Sequence, residues 1–280
     1  MRKKIKRKEK TSLLVTIAIV AVVLIMVAVL LVLRFWNPSF VPLVQDSSLT
    51  ETHSLTDSPK SSESVESSSA SLSEPVEQRY TAVPESADVG DGYFDDAVFI
   101  GDSLMMGLGA HGVVDKDKVP ADIGLNLDTV LSKQCITTPT GMVTVLDAVN
   151  LKKPGKIYLM MGSNGIAWVT PDDLADKLEL FLSQLMAQQP ECELYLMSIP
   201  PVTQEKFEKD SRYSNESIRQ YNALLFQLAE KKGIHYLDIN SAFQDSTGAL
   251  NMEYAEADGM HFKKSGYDYL YQYLKTHTVA

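Results

Sequence analysis

The sequence predicts an α/β fold built on a parallel sheet, because short apolar runs alternate along the chain with segments of helical periodicity. Each apolar run has the length of a buried strand, and the main intervening segments repeat apolar residues at helical spacing. Strands that alternate with helices imply right-handed crossovers and a parallel sheet covered by helices on both faces. The pattern starts near Asp91, so residues 91–280 are expected to form one domain with a large core.

Four apolar runs predict the strands of this sheet, and a fifth run is weaker. They are Ala97–Ile100, Lys156–Met161, Glu193–Ile199 and His235–Ile239, with the weaker run near Val119–Ile123. Active sites on parallel sheets lie at the carboxyl ends of the strands. The residues that follow each run are therefore the first candidates for chemistry.

Three helices are predicted from apolar spacing and from signals at their ends. The first, Pro171–Gln189, follows Thr170 as its cap and has proline at its first position. The second, Asn215–Lys232, stops at Gly233, a residue type that commonly ends helices. The third, Lys263–Lys275, closes the chain.

Three polar segments lie where a catalytic site is expected. They are Gly101-Asp102-Ser103 after the first strand, Gly162-Ser163-Asn164-Gly165 after the run Lys156–Met161, and Asp258-Gly259-Met260-His261 before the last helix. A serine hydroxyl becomes an effective nucleophile when a base takes its proton and a carboxylate orients that base. Ser103, His261 and Asp258 are the candidates for these three roles.

In these segments, residues 91–280 resemble the SGNH (GDSL-type) serine hydrolases. The matching blocks are Phe99-Ile100-Gly101-Asp102-Ser103, Met161-Gly162-Ser163-Asn164 and Asp258-Gly259-Met260-His261, in the order and wide spacing of that family. The resemblance implies a flavodoxin-like, three-layer α/β/α sandwich. It also implies that Ser103 is the nucleophile, His261 its base and Asp258 the residue that orients the base.

The resemblance further implies an oxyanion hole formed by the N–H of Ser103, the N–H of Gly124 and the side chain of Asn164. The segment from 121 to 126 lacks the Ser-Gly-Asp-Thr type of run that is commoner in the family. The N–H of Leu125 or of Asn126 is therefore an alternative to Gly124.

Two positions depart from the residues that many family members carry. Met105 stands where many have threonine, and Gly165 where many have aspartate. Neither position supplies a catalytic atom, so the departures affect the expected shape of the acyl pocket and hence the substrate. Methionines at the strand ends are expected to lie in the core or to line that pocket, at positions 105, 106, 160 and 161.

Structural interpretations of the same residues also exist. Ser103 could cap a helix, and Asn164 between glycines could be a turn residue. Asp102 and Asp238 are predicted to accept structural hydrogen bonds. Trp168 could stack on a sugar ring or be an ordinary loop residue.

A long apolar run predicts a membrane anchor. Leu13–Leu33 has 21 residues with Thr16 as its only polar member, and a helix of this length spans a hydrocarbon core of about 30 Å. The first 34 residues carry a net charge of +7, against −10 for the whole chain, which places the N-terminus in the cytoplasm. The run is longer than a signal-peptide core and lacks a small-residue cleavage site. We expect a basic tail at 1–12 and a bilayer-spanning anchor at 13–34.

Residues 35–90 are expected to form a disordered extracytoplasmic linker, since they are rich in serine and poor in aromatic residues. The acidic balance of the chain beyond the anchor excludes a nucleic-acid binder, whose basic patch would lie on the folded domain. The two cysteines, Cys135 and Cys192, are too few for a metal site or a disulfide framework. Two free, buried thiols are favoured over one disulfide, and no cofactor is implied.

These expectations combine into a membrane-anchored, extracytoplasmic bacterial serine esterase. Its expected substrate is an acyl ester, with acetyl favoured, on a cell-envelope glycan or lipid. Two alternatives are an O-acyltransferase that acts on a wall polymer through the same acyl-serine, and an anchored wall-binding module without catalysis.

Overall fold

The computed structural model describes residues 80–279. Its strands are β1 (Ala97–Gly101), β2 (Ile136–Thr138), β3 (Gly141–Val143), β4 (Lys156–Met160), β5 (Glu193–Met197) and β6 (His235–Leu237). Its α-helices are α1 (Ser103–Ala110), α2 (Val145–Lys152), α3 (Pro171–Gln188), α4 (Gln204–Lys209), α5 (Asn215–Lys232), α6 (Ile239–Ala242) and α7 (Lys264–Thr276). Short 3₁₀ helices cover Asp91–Phe94 and Lys116–Lys118.

The central sheet is parallel and has the order β1-β4-β5-β6. All five residues of β1 are buried, as are the last four of β4 and of β5. Burial on both faces explains why these strands are almost entirely apolar in sequence. The predicted α/β fold with a parallel sheet is therefore confirmed.

The weaker strand predicted near Val119–Ile123 does not form. Only Ala121 pairs with β1, through a single parallel bridge to Gly101. Pro120 has no N–H to donate to a ladder, and Gly124 turns the chain with a φ of +71°. This segment therefore lies beside β1 as an irregular edge.

The strands β4, β5 and β6 also end one or two residues before their predicted limits at Met161, Ile199 and Ile239. Beyond β5, side-chain amides take over the backbone hydrogen bonds. Asn222 accepts from the N–H of Ile199 and donates to its carbonyl, both at 2.9 Å. From Ile199 onward the apolar run therefore continues as a buried loop that side chains hold in place.

One face of the sheet carries a row of stacked rings. Phe99, Tyr158 and Tyr195 lie side by side on three neighbouring strands, with ring centroids 5.3 and 4.6 Å apart. Phe94 packs on this row and contacts Tyr271 of α7 at 5.2 Å between centroids. The helix α7 therefore covers this face.

The helices form two groups. The ring of Tyr267 in α7 lies directly on Gly107 of α1. On the other side, Asn150 of α2 donates to Gln188 of α3, and Glu179 of α3 pairs with lysines of α5. Right-handed crossovers place α3 and α5 on the same face because β4, β5 and β6 follow in one direction. One group thus lies on each face of the sheet.

Residues 80–90 are fixed on the domain, which corrects the predicted linker boundary at residue 90. The hydroxyl of Tyr80 donates to the carbonyl of Ile234 at 2.6 Å. Val83 is buried, and its N–H donates to the carbonyl of Tyr236 at 2.9 Å. The sequence did not indicate that this segment belongs to the domain, because its hydropathy is low and most of its contacts are hydrogen bonds to the backbone.

Several short elements were also not predicted, namely the exposed hairpin β2–β3 and the helices α2, α4 and α6. Within residues 80–279, no helix is long and apolar enough to cross a membrane. The predicted tail at 1–12, the anchor at 13–34 and the linker up to residue 79 lie outside the described residues.

Candidate active site

The turn from β1 into α1 places Ser103 at the carboxyl edge of the sheet. A Cβ on Gly101 would lie 2.4 Å from the carbonyl oxygen of Met160 and closer still to Met105, so only glycine fits there. Asp102 caps α1 by accepting from the N–H of Leu104 at 3.0 Å. Ser103 is the first residue of the helix, where unpaired N–H groups favour negative charge.

Ser103, His261 and Asp258 form a chain of hydrogen bonds. The Oγ of Ser103 lies 2.8 Å from Nε2 of His261, and Nδ1 of His261 lies 2.5 Å from Oδ2 of Asp258. A carboxylate can only accept, so His261 donates from Nδ1 and its Nε2 accepts from the serine hydroxyl. The structure thus brings together the three residues predicted for nucleophile, base and orienting carboxylate.

The segment 258–261 folds into a tight turn that pairs Asp258 with His261. The second carboxylate oxygen of Asp258 accepts from the N–H of Met260 at 2.9 Å and from that of His261 at 3.0 Å. Gly259 has a φ of +73°, and a Cβ there would lie 2.2 Å from Oγ1 of Thr203. The turn that brings Asp258 to His261 therefore requires glycine at position 259.

The carboxyl of Asp258 is held in its ionised form. Partial burial raises its pKa, but hydrogen bonds from the backbone and ring of His261 and from the N–H of Met260 outweigh this effect and lower the pKa below its ordinary value. The charge that fixes the His261 tautomer is thus present from mildly acidic pH upward.

Asn164 lies in a series of turns that follows β4. Gly162, at the start of these turns, has a φ of +132°, and a Cβ there would lie 2.4 Å from the Tyr221 ring. The side chain of Asn164 donates to the carbonyl of Leu125 at 3.0 Å. Its amide has two N–H groups, and the other one has no acceptor within the described residues. The bond to Leu125 therefore orients the Asn164 side chain, and its second amide N–H remains available to bind another acceptor.

The bond from Asn164 places the segment around Gly124 next to it. The N–H of Leu125 already donates to the carbonyl of Asp122 at 3.2 Å. Of the three N–H groups considered for the oxyanion hole, those of Gly124 and Asn126 have no acceptor among residues 80–279. The geometry thus favours these two over Leu125.

Asp102 is a buried carboxyl directly before the candidate nucleophile. It is 1% exposed, and its Oδ2 has no hydrogen-bond partner within the described residues. Burial raises its pKa to about 6, although the bond from the Leu104 N–H and the nearby His261 act in the opposite direction. Its predicted role as an acceptor for local backbone N–H groups is confirmed. Asp238 likewise caps α6.

A small cavity lies beside these residues. Its lining includes Leu104, Ser163 and Met260, which are the chain neighbours of Ser103, Asn164 and His261. Its volume is about 10 Å³, which is space for about one water molecule. The lining residues are Leu104, Ser163, Ile166, Ile199, Pro200, Pro201, Val202, Tyr213, Ile218 and Met260. The hydroxyl of Ser163 is buried there without a partner among residues 80–279, so the cavity offers a single polar group in an apolar wall.

The residues that lie outside the polar segments and shape this cavity were not predicted. One wall is the loop after β5, which two asparagines of α5 hold through paired bonds to its backbone. Asn215 accepts from the N–H of Val202 at 2.8 Å and donates to its carbonyl at 2.9 Å, as Asn222 does at Ile199. The only signal in the sequence is the Ile199-Pro200-Pro201 segment at a strand end.

The other titratable candidates play no part in this geometry. Cys135 and Cys192 are both free, as predicted, but half-buried rather than buried. Across the part of the chain that the structure describes, no group of three His, Cys, Asp or Glu side chains could hold a metal ion. Trp168 is exposed rather than half-buried, and Arg212 stacks on its ring.

Comparison with known proteins gives a family match and a set of similar folds. The profile of the GDSL-like Lipase/Acylhydrolase family matches residues 99–269. No curated protein matches the sequence. A structure from Streptococcus pneumonia, assigned as a platelet activating factor, is 24% identical with a TM-score of 0.51, over 64% of this chain and 82% of that one.

Two further similar structures come from Bacteroides species. A crystal structure from Bacteroides fragilis, assigned as that of an acylhydrolase, is 19% identical with a TM-score of 0.51, over 69% of this chain and 88% of that one. A GDSL-like lipase from Bacteroides thetaiotaomicron is 18% identical with a TM-score of 0.50, over 64% and 85%. At these identities the structures establish the fold.

Proposed function

The chain belongs to the GDSL-like lipase/acylhydrolase family, whose members hydrolyse ester bonds, and on this premise we propose that it is a serine esterase that acts through an acyl-Ser103 intermediate. The observation that carries the proposal is the hydrogen-bonded chain from Ser103 through His261 to Asp258. An ordinary surface serine has neither a base in contact with its hydroxyl nor a carboxylate behind that base.

In the first half of the reaction, Oγ of Ser103 attacks the acyl carbon of the ester and its proton passes to Nε2 of His261. The Asp258 carboxylate stabilises the positive ring that results. The tetrahedral intermediate then expels the alcohol, which leaves with the proton from His261. The products of this half are a free alcohol and the acyl group on Ser103.

In the second half, water attacks the acyl carbon while His261 takes a proton from it. The second tetrahedral intermediate collapses, the proton returns to Oγ of Ser103, and the carboxylic acid leaves. The negative oxygen in both intermediates is stabilised by N–H donors at the start of α1, by the free amide N–H of Asn164 and by the N–H of Gly124 or Asn126. Preorganised donors of this kind act without reorganisation during the reaction.

The small cavity supports an acetyl ester as the substrate. It has room for about one water-sized group, which suits a methyl group better than a long acyl chain. Leu104 and Met260 line the cavity and are the chain neighbours of Ser103 and His261, and on this ground we assign the cavity to the acyl group. Activity is therefore expected to fall steeply from acetyl to butyryl and longer esters.

We place the enzyme outside the cytoplasm on a membrane anchor, with a cell-envelope ester as its substrate. The support is the apolar run Leu13–Leu33 and the change from basic to acidic charge beyond it. Cell fractionation tests this placement, since the chain is expected in the membrane fraction and its C-terminal domain is expected to be cleaved by protease added to intact protoplasts. Recovery in the cytosol would contradict it.

The nucleophile is tested with a fluorophosphonate probe, which reacts covalently with activated serines. Peptide mass spectrometry of the labelled chain is expected to locate the adduct on Ser103. In a His261→Ala variant the same label is expected to form at least about a hundred times more slowly, because the base is missing.

The matched control is His111→Ala, because His111 is exposed, stacks on Tyr267 and makes no hydrogen bond to Ser103, His261 or Asp258. This variant is expected to label at the wild-type rate. Absence of labelling on a demonstrably folded wild-type chain, or labelling that is unaffected in His261→Ala, would contradict the proposed mechanism.

A further inference from the structure

One exposed aromatic side chain beside the candidate active site has no part in the hydrolysis itself. Trp168 is 67% exposed. It follows Asn164 by four residues, and its N–H donates to the carbonyl of Gly165 at 2.8 Å within the turns after β4. Trp168 therefore lies one turn after the candidate oxyanion donor in the same run of turns.

The indole ring of Trp168 is held in a fixed orientation. The guanidinium of Arg212 lies 4.0 Å from the ring centroid. Its Nε and one terminal nitrogen donate to the two carboxylate oxygens of Asp210 at 2.8 and 2.7 Å. The bidentate pair fixes the guanidinium, and the cation–π contact orients the indole. One face of the indole is covered by Arg212, so the exposed area belongs to the other face and the edges.

Residues that are close in the chain to this clamped pair also line the small cavity. Tyr213, the residue after Arg212, lines that cavity, as does Ile166, two residues before Trp168. The Nζ of Lys206 lies 4.2 Å from the centroid of the Tyr213 ring and adds a charged donor to the same rim. The chain neighbours Tyr213–Arg212 and Ile166–Trp168 thus connect the cavity with the indole, and on this ground the alcohol portion of an ester is assigned to the side of Trp168.

We propose that Trp168 is a sugar-binding subsite, on which a pyranose ring of the ester's alcohol stacks while its acetyl group enters the cavity at Ser103. This proposal rests on the proposed esterase function and names the alcohol part of the substrate. A sugar ring presents C–H groups on its faces and hydroxyls around its edge. That pattern fits a flat indole with one open face, with Arg212 on its other face and the charge of Lys206 on the nearby Tyr213.

A lipid substrate fits this rim less well. An acyl or alkyl chain is bound by a continuous apolar trough, whereas here a single exposed ring is paired with the charged side chain of Arg212. The cavity itself is too small to hold more than a few carbon atoms. The alcohol recognised by Trp168 is thus polar at its edges and apolar only on its face.

Binding can be measured directly through the fluorescence of Trp168. The chain contains two tryptophans, Trp36 and Trp168, so Trp36→Phe leaves Trp168 as the only one. In the full-length chain that also carries Ser103→Ala to prevent turnover, titration with an O-acetylated chito-oligosaccharide is expected to shift and saturably change the indole emission. A response to a monomeric short-chain phospholipid with none to the oligosaccharide would overturn the sugar assignment.

Kinetics give a second readout. Trp168→Ala is expected to raise KM for the O-acetylated chito-oligosaccharide about tenfold while kcat, and the hydrolysis of p-nitrophenyl acetate, stay unchanged. Trp168→Phe keeps an aromatic face and is expected to restore most of the affinity. The matched control is Leu151→Ala, an equally exposed apolar side chain (65%) on α2, which leads into the opposite edge of the sheet.

The outcomes separate this proposal from the esterase function. If the wild type hydrolyses p-nitrophenyl acetate, but Trp168→Ala leaves KM for the oligosaccharide unchanged and the emission does not respond, the sugar subsite is wrong and the esterase stands. If the wild type hydrolyses neither ester, the esterase function is wrong. The emission titration then decides alone whether Trp168 binds sugar.

Discussion

The sequence does not show whether Ser103 or Asp102 caps helix α1. In the structure, Asp102 caps the helix and the hydroxyl of Ser103 contacts His261. A serine at the start of a helix commonly caps it, but here the cap is the Asp102 carboxylate, which accepts from the N–H of Leu104. The hydroxyl of Ser103 instead lies 2.8 Å from His261. The structural interpretation of Ser103 as a helix cap is therefore wrong, and its hydroxyl is available to a base.

The buried carboxyl of Asp102 is expected to make the stability of the folded chain depend on pH. Its pKa is raised to about 6 from an ordinary value of 3.8, mainly by burial. Between these two pH values the unfolded chain ionises while the folded chain keeps its proton, so stability falls as pH rises and the loss is complete above about pH 6. The loss corresponds to roughly 3 kcal/mol.

The substitution Asp102→Asn removes this titration while it keeps an oxygen for the N–H of Leu104. The free energy of unfolding of the variant, relative to wild type at the same pH, is expected to increase by roughly 2 kcal/mol between pH 4 and pH 7. Urea unfolding at several pH values measures it. A difference that stays constant with pH would show that Asp102 is not a buried ionisable group of this kind.

The elements show which contacts follow from sequence and which do not. Apolar runs and end signals such as Thr170 before α3 and Gly233 after α5 are local features, so strands β1, β4, β5 and β6 and helices α3, α5 and α7 could be predicted. The asparagines of α5 that hold the loop after β5 could not, because Asn222 and Ile199 are 23 residues apart. A polar residue on a helix gives no sign of a distant backbone partner.

The cavity wall therefore depends on a helix that contributes nothing to the chemistry. Asn222→Ala leaves the buried N–H of Ile199 without an acceptor, although the Ile199 carbonyl keeps a bond from Asn240 at 3.0 Å. One unsatisfied buried donor costs about 1–3 kcal/mol. The free energy of unfolding is expected to fall by that amount, with a larger loss of acetyl-over-butyryl selectivity than of fluorophosphonate labelling.

The control for this prediction is Gln220→Ala, which removes an exposed side chain of the same helix that contacts only Glu216. It is expected to change stability by less than about 0.5 kcal/mol. Equal effects of the two substitutions on stability and on acyl selectivity would show that the Asn222 bond does not shape the cavity.

At the scale of the whole molecule, the domain carries its site and its N-terminal attachment at opposite edges of the sheet. Tyr80 contacts Ile234, just before the amino end of β6, whereas Ser103 follows the carboxyl end of β1. A chain that arrives from the proposed anchor thus reaches the domain on the edge away from the site.

Much of the site could be predicted because its residues lie in three short segments at strand ends and before the last helix. The choice of oxyanion donor and the size of the acyl cavity could not. They depend on how the irregular segment beside β1 turns at Gly124 and on how the Ile199–Val202 loop packs. Both are outcomes of tertiary contacts rather than of local pattern.

The most direct test of the central claim is to trap the acyl-enzyme. The full-length chain is mixed with p-nitrophenyl acetate, quenched with acid within the first turnover and digested for peptide mass spectrometry. We expect one acetyl group on the peptide that contains Ser103 and none in Ser103→Ala or in slowly reacting His261→Ala. Steady hydrolysis by a chain that never carries acetyl on Ser103, and that survives Ser103→Ala, would contradict the account.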